Sequence, residues 1–509
     1  MITHTSFIPA VQNLSTETGW VETRNALIHF EPMFERLSLL AKEQLSKAGL
    51  LSSVQSPNQA ELLVQGSVLK IYLQEDKNIA HDEGYELSIS GKTAKLKAKT
   101  EAGMFYALQT LRQLVYSSEA KIPYITVKDY PAFEWRGFML DTSRHYYSAD
   151  FIKKMIDLAS FHKLNRFHWH LTDDQGWRLP VKGYEKLTEV GAWRDDPRYS
   201  WGAIKGGFYT EEEIKSVVAY ARERHVIVVP EIETPGHASA ILASYPDLGC
   251  TGGPYAVETR YGIFKEVLCA GNDAVFSMLE KVFDTVCELF PGPYVHIGGD
   301  ECPHERWEEC PKCQKRIKDE GLENASELQS WITVKVSKML EERGKIPIGW
   351  DEVLDGTEKL GLPKNVVVQS WRGVEGGIKA SSLGHKVIMS PLTDGCYLDY
   401  KHFDTEEEPG MHKVTTVADS YNYSPIKPEM TKEQRENVLG GQGNIWTEVM
   451  YASKIAEYMA FPRLSAISES LWLEEEKKDF LSFAKRLIKH KQRLDRLHVL
   501  YYKGQLSAQ

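Results

Sequence analysis

Eight short apolar runs alternate with long amphipathic segments between residues 136 and 446, and this rhythm constrains the fold more than any other feature. The runs are RGFMLD (136–141), LNRFHWH (164–170), HVIVVPE (225–231), PYVHIGG (293–299), KIPIGW (345–350), NVVVQSW (365–371), HKVIMS (385–390) and LGGQGNIW (439–446). Several intervening segments read as helices. Val275, Met278, Leu279, Val282, Phe283 and Val286 recur at helical spacing. Thr210 and Glu213 form a capping box ahead of Ile214, Val217 and Val218. The segment 326–343 stops at Gly344, a residue suited to a helix C-terminus. Eight strand–helix units predict an α/β fold, a (β/α)8 TIM barrel. Strands seven and eight flank a long polar loop, 391–436, and a helical region over 474–503 is expected to pack back on the barrel.

The first 130 or so residues have a different grammar. Alternating runs such as LKIYL (69–73), GYELSIS (84–90) and AKLKAKT (94–100) accompany helical patterns near 33–48 and 101–116. This predicts a small α+β N-terminal domain over 1–130, ending at KDYPAFEW (128–135), with the barrel and its C-terminal helical region over 131–509.

Composition excludes some functions. The net charge is −10 and there is no dense Lys/Arg run, which argues against nucleic acid and favours a neutral substrate over an anionic one. No segment approaches the apolar length that crosses a bilayer. The opening MITHTSFIPAVQNL lacks a basic stretch followed by an apolar core, so the expected location is cytoplasmic, with a trimmed export signal as the alternative. Seven cysteines are few and odd in number, which disfavours a disulfide framework. Cys302, Cys310 and Cys313 cluster in CPHERWEECPKC with His304 nearby, but the spacing lacks the paired CxxC…CxxC of a zinc site. The expectation is therefore a loop after the fourth strand and no metal.

Barrel enzymes place their chemistry at the C-terminal strand ends. Those ends carry Arg136, Asp141, Asp173, Asp174, Glu233, His237, Asp300, Glu301, Trp350, Trp371, Tyr397, Asp399, Trp446 and Glu448. Carboxylates with aromatic rings suit a sugar, whose hydroxyls need charged or amide partners and whose C–H faces stack on indoles. Glycoside hydrolysis needs an acid for the leaving oxygen and a second group to stabilise an oxocarbenium-like state. An Asp-Glu pair alone means little, because Asp82-Glu83, Asp319-Glu320 and Asp351-Glu352 also occur. Asp300-Glu301 differs in following an apolar run and two glycines, HIGGDE. The competing readings are a structural strand-end histidine for His237, barrel packing for Trp350, Trp371 and Trp446, and a structural ion pair for Arg136.

These motifs resemble the family-20 glycoside hydrolases, the β-N-acetylhexosaminidases. EAGMFYALQTLRQL (101–114) resembles the end of that family's N-terminal domain. WRGFMLDTSRHY (135–146), FHWHLTDDQGWR (167–178), PEIETPGH (230–237), HIGGDE (296–301), GWDE (349–352), QSW (369–371), CYLDY (396–400) and NIWTE (444–448) resemble its barrel motifs in order. The resemblance implies a retaining, exo-acting enzyme that removes terminal β-linked GlcNAc or GalNAc from oligosaccharides or glycoconjugates. It implies Glu301 as acid/base, protonated at rest, and Asp300 as the residue holding the acetamido N–H. Tyr397 would donate to the acetamido carbonyl. Trp350, Trp371 and Trp446 would box the sugar, with Arg136, Asp399 and Glu448 on its outer hydroxyls. Asp173 and His237 would form a dyad toward the acid/base. In this mechanism the nucleophile is the substrate's own amide, and no cofactor is implied. The alternative is a catalytically silent glycan-binding protein on the same fold.

Overall fold

The computed structural model describes residues 7–56, 67–117, 120–196, 204–406 and 408–507. Residues 1–6, part of the stretch read above for a leader, lie outside them. Among the described residues no helix is long and apolar enough to cross a membrane.

The N-terminal unit is a seven-stranded mixed sheet. Its strands are Asn13–Glu22, Asn25–Phe30, Leu51–Gln55, Val68–Glu75, Tyr85–Ser90, Thr93–Ala98 and Lys121–Asp129, lying in the order first, seventh, fifth, sixth, fourth, second, third. The alternating runs behave as their pattern requires. In Val68–Glu75, Leu69, Ile71 and Leu73 are buried while their neighbours are partly exposed. The first strand gave no such signal because NLSTETGWVE is polar and almost wholly exposed on the sheet edge. Helices Glu35–Lys47 and Glu101–Ser117 pack on the sheet. The second is buried from Gly103 to Ser117. Its far side meets the barrel, where Arg112 pairs with Asp157 at 2.9 Å and the Gln113 amide donates to the Phe161 carbonyl at 3.2 Å.

The eight apolar runs form a closed, all-parallel barrel. In chain order its strands are Trp135–Asp141, Arg166–His170, Ile227–Glu231, Tyr294–His296, Ile346–Trp350, Val367–Ser370, Val387–Met389 and Val438–Ile445. Thr210 caps helix Glu211–Arg222 with the expected reciprocal bonds to Glu213. Helix Asp273–Leu289 buries all six residues picked out by spacing, at about 1.5–3 kcal/mol each. The loop over 391–436 holds two short helices, Val417–Asn422 and Lys432–Asn437, and helix Phe480–Arg496 packs both on the barrel, where His490 meets His162 at 2.8 Å, and on the N-terminal unit.

Cys302, Cys310, Cys313 and His304, adjacent in sequence and read above as a loop rather than a metal site, do not come together. Cys310 and Cys313 instead meet Cys250 and Cys269, their four sulfurs lying within 4.8 Å of one another. Cys250 and Cys269 lie in the excursion after strand three, so local spacing around 302–313 could not reveal the group. His304 turns away to bond Gln329 at 2.9 Å.

Candidate active site

Strand register sets the floor of the site. Asp141, His170, Glu231 and His296 are neighbours across strands one to four, at or near their C-terminal ends. Their side chains join in one buried network. His170 Nδ1 lies 3.2 Å from Asp141, and Glu231 takes His296 and His168 at 2.8 Å each. The Trp350 indole N–H also donates to Glu231, at 2.8 Å. Trp350, which the resemblance placed in the aromatic box, is fully buried, its ring 5.8 Å from that of Trp446.

Above this floor the chain turns sharply after strand four. Gly298 and Gly299 have φ of 67° and 101°, and Glu301 has φ of 47°. A side chain at Gly298 would meet Glu233, since a Cβ there would stand 1.9 Å from Oε2. His237, after strand three, also has φ of 47°. Left-handed backbone at two non-glycine residues facing each other is strain held at one place. The turn sends adjacent carboxylates into different surroundings. The Asp300 side chain is 12% exposed and that of Glu301 is 33% exposed. His237 Nε2 stands between them, 3.6 Å from Asp300 and 3.7 Å from Glu301.

His237 Nδ1 bonds Asp174 at 3.0 Å, with Asp173 at 3.3 Å. Asp174 also accepts from the Ser239 N–H and hydroxyl at 2.9 and 2.6 Å. Asp173 turns toward Arg144, 2.9 Å away. Burial disfavours a charged His237 ring, but the Asp173 charge and the bonds to Asp173 and Asp174 prevail and hold it well above the usual histidine range.

Arg136 is a correction. It sits at the opposite end of strand one, buried, with Glu83 at 2.9 Å and the rings of Tyr106 and Trp472 beside its guanidinium. Five strand residues separate it from the C-terminal rim, about 16 Å. The arginine in the site is Arg144. It contacts Asp173 at 2.9 Å, Asp141 at 3.3 Å and Glu448 at 3.8 Å, and lies over the Trp446 ring at 5.0 Å. Arg144 stands in the same motif as Arg136, three residues beyond the strand end, and its place in the loop was the available signal.

Tyr397, Asp399, Trp446 and Glu448 converge from the last two strand ends, where Tyr397 bridges Asn444 of strand eight. Trp371 lies flat beside Tyr397, centroids 6.4 Å apart, and its indole N–H donates to Glu352 at 2.8 Å. Asp300, Asp399 and Glu448 each keep one buried carboxylate oxygen without a protein partner. Such acceptors are costly when dry, and three around one chamber mark it as built for donors. Burial and then the Glu233 carboxylate push Asp300 well above the usual carboxylate range, and burial and then Glu448 do the same for Asp399. Glu352 is pushed up to about 9 by burial and then by Asp300 and Asp351. Glu352, Arg144 and Asp174 are functional candidates that the sequence reading left unassigned.

Residues 133–475 match glycosyl hydrolase family 20, catalytic domain, and residues 4–130 match glycosyl hydrolase family 20, domain 2. The chain belongs to glycoside hydrolase family 20. A β-hexosaminidase of Porphyromonas gingivalis is 42% identical over 93% of the chain, and one of Akkermansia muciniphila is 32% identical over 87% of this chain and 90% of its own. The chain spans 61% of the Porphyromonas protein and 65% of a 36% identical Vibrio furnissii β-hexosaminidase. Among solved structures, a family-20 exo-β-N-acetylglucosaminidase from Vibrio harveyi in complex with N-acetylglucosamine aligns with a TM-score of 0.88 at 30% identity, covering 98% of this chain and 79% of that one. A Streptomyces plicatus β-hexosaminidase mutant in complex with product GlcNAc aligns at 0.84 and 28%, covering 99% and 97%. As a member of family 20, this chain carries the eight-stranded barrel and the smaller N-terminal unit together.

Proposed function

We propose that the chain is an exo-acting, retaining β-N-acetylhexosaminidase that uses the substrate's acetamido group as nucleophile. One observation carries this reading. Asp300 and Glu301 are adjacent in sequence, yet the first faces a closed chamber with Tyr397 and the second faces outward. Two carboxylates in different environments can take two roles. In this reading Glu301 protonates the leaving oxygen. Asp300 receives the acetamido N–H on its open oxygen and balances positive charge as the amide oxygen attacks C1. Tyr397 donates its hydroxyl to that amide oxygen. The attack is intramolecular, which removes much of the entropic cost of bringing the reactants together. His237 couples the pair, reaching both carboxylates with one nitrogen and Asp174 with the other.

Asp399, Glu448 and Arg144, with Trp446, close the far side of the chamber and fit the outer hydroxyls of one terminal sugar. The related β-hexosaminidases and the GlcNAc complexes support an N-acetylhexosamine there. An aryl N-acetyl-β-glucosaminide should be hydrolysed with first release of the β-anomer, and the matching aryl β-glucoside should be cleaved at least about 10³-fold less efficiently. Comparable rates on the two would overturn substrate assistance, and binding without turnover of either would favour a silent lectin. A chito-oligosaccharide should yield monosaccharide from the start, and long fragments appearing first would overturn exo-action.

A further inference from the structure

Outside the carbohydrate chamber, four cysteines from two separate loops meet at a point. Cys250 and Cys269 lie in the excursion after strand three, and Cys310 and Cys313 bracket the start of helix Pro311–Asp319 in the loop after strand four. Cys269, Cys310 and Cys313 are buried and Cys250 is partly so. Three of the six sulfur pairs stand at 3.8 Å (Cys250–Cys313), 3.8 Å (Cys269–Cys310) and 3.6 Å (Cys269–Cys313), and all four sulfurs lie within 4.8 Å of one another. A tetrahedron of sulfurs about 2.3 Å from a central zinc has edges of about 3.8 Å. Paired disulfide sulfurs would stand at about 2.05 Å, and thiolates around an iron–sulfur cube stand farther apart than these. The separations therefore fit one mononuclear tetrahedral ion.

The local chain suits such a site. Cys310-Pro-Lys-Cys313 is a two-residue spacing of the kind that grips zinc from one side. Cys310 is the residue preceding the helix and Cys313 lies in its first turn, so one short segment presents both sulfurs to the same point. Opposite them the chain after Cys269 presses so closely that a Cβ on Gly271 would stand 2.2 Å from the Lys312 carbonyl carbon. Only a glycine lets the two loops approach to this distance. Other contacts join the same loops: Trp307 donates its indole N–H to the Leu268 carbonyl at 2.9 Å, and Arg306 pairs with Glu266.

We infer that Cys250, Cys269, Cys310 and Cys313 bind one structural Zn2+ as a tetrathiolate. Binding releases the thiol protons, and the closed ligand set leaves no position for substrate or water. The ion pins the loop that follows His237 to the loop that carries Asp300 and Glu301, so it fixes the two walls of the acid/base pocket relative to each other. This assignment does not depend on the reaction proposed above.

Untagged protein, expressed with zinc present and purified without chelator, should carry one equivalent of zinc by elemental mass spectrometry. An organomercurial thiol reagent should release it. Growth on cobalt should give the intense visible bands of tetrahedral Co(II) bound to four sulfurs, a readout that needs no variant. C310S/C313S should lose the metal while C287S keeps it, and stripping the metal should lower the melting temperature and open residues 250–270 to protease. Reduced, folded wild-type protein with far less than one metal equivalent would overturn the site, as would an intact mass showing disulfides among these four cysteines.

Discussion

Arg136, near the start of strand one, and Arg144, three residues past its end, serve opposite ends of the barrel, the first pairing with Glu83 in the N-terminal unit and the second with Asp173 and Glu448 in the candidate active site. The two arginines should fail differently. Arg136→Ala leaves Glu83 without its cationic partner, held only by Tyr106 and Asn165, a loss of about 3 kcal/mol of stability, while kcat/KM per folded molecule stays close to wild type. Arg144→Ala removes the cation shared by Asp141, Asp173 and Glu448 at the wall of the chamber. It should cost kcat/KM roughly 30- to 1,000-fold. Thermal melting and kinetics on both variants check this, and the opposite assignment of losses would return Arg136 to the substrate.

Gly298 is constrained by both conformation and space. Its φ is 67°, and a methyl there would collide with Glu233. Gly298→Ala should destabilise the protein by roughly 2–4 kcal/mol. It should also depress activity in the folded fraction, because Asp300 and Glu301 leave the same turn. A Gly298→Ala protein with unchanged melting temperature and kcat would show that the turn can relax.

Much of this molecule was legible in its residues, for identifiable reasons. All eight barrel strands coincide with short, largely apolar runs, since a parallel strand covered on both faces is mostly apolar, and their polar residues are the buried ones that build the network at the strand ends. Helix Asp273–Leu289 announced itself by period, and helix Glu211–Arg222 by its cap. The first strand stayed hidden because its polar, exposed residues carry no alternation. In the site, HIGGDE marked Asp300 and Glu301 by grammar that only a strand end with a sharp turn requires. Arg136 misled because the family motif was read as a block, although Arg136 opens the run RGFMLD and so stands at the N-terminal end of its strand, away from the chamber. Its competing reading as an ion-pair partner is the one the structure bears out. Asp173 and Asp174 could not be divided between His237 and Arg144 without side-chain directions. The four-cysteine cluster was beyond reach because two of its members lie on another loop, and no local spacing encodes which loops touch.

Glu352 should make stability depend on pH. Burial first, and then Asp300 and Asp351, raise its pKa from 4.5 to about 9. The folded protein therefore keeps a proton that the unfolded chain releases between those values. The unfolded state binds fewer protons, so stability falls as pH rises through that window. Glu352→Gln keeps an acceptor for the Trp371 indole and removes the titration. Its melting temperature relative to wild type should climb from pH 5 to pH 9, by the equivalent of at least about 1 kcal/mol. A difference that stays flat with pH would show that Glu352 ionises freely in the folded protein.

Asp300 and Glu301 provide the sharpest test of the proposed chemistry, because neighbouring carboxylates should respond differently to the leaving group. Glu301→Gln removes the proton donor, a loss of roughly 10²–10⁴-fold when the leaving group is poor. An activated aryl leaving group departs without protonation, so the glycosylation step should lose much less there. Asp300→Asn keeps the size but removes the charge that holds the acetamido N–H and balances the forming oxazolinium. Its defect should persist with an activated leaving group, because ring formation itself suffers. Azide should relieve a deglycosylation block in Glu301→Ala, since azide needs no general base, and do far less for Asp300→Ala. Melting and binding of a cyclised oxazoline mimic establish that each variant is folded, and the Asp300 variants should bind the mimic more weakly. The charge on Asp300 also has a pH consequence. Burial and Glu233 raise its pKa in the free protein, so acid should weaken binding of the mimic, and that sensitivity should vanish in Asp300→Asn. Near wild-type turnover by Asp300→Asn, or a sugar trapped covalently on any protein carboxylate, would rule out the substrate's amide as nucleophile.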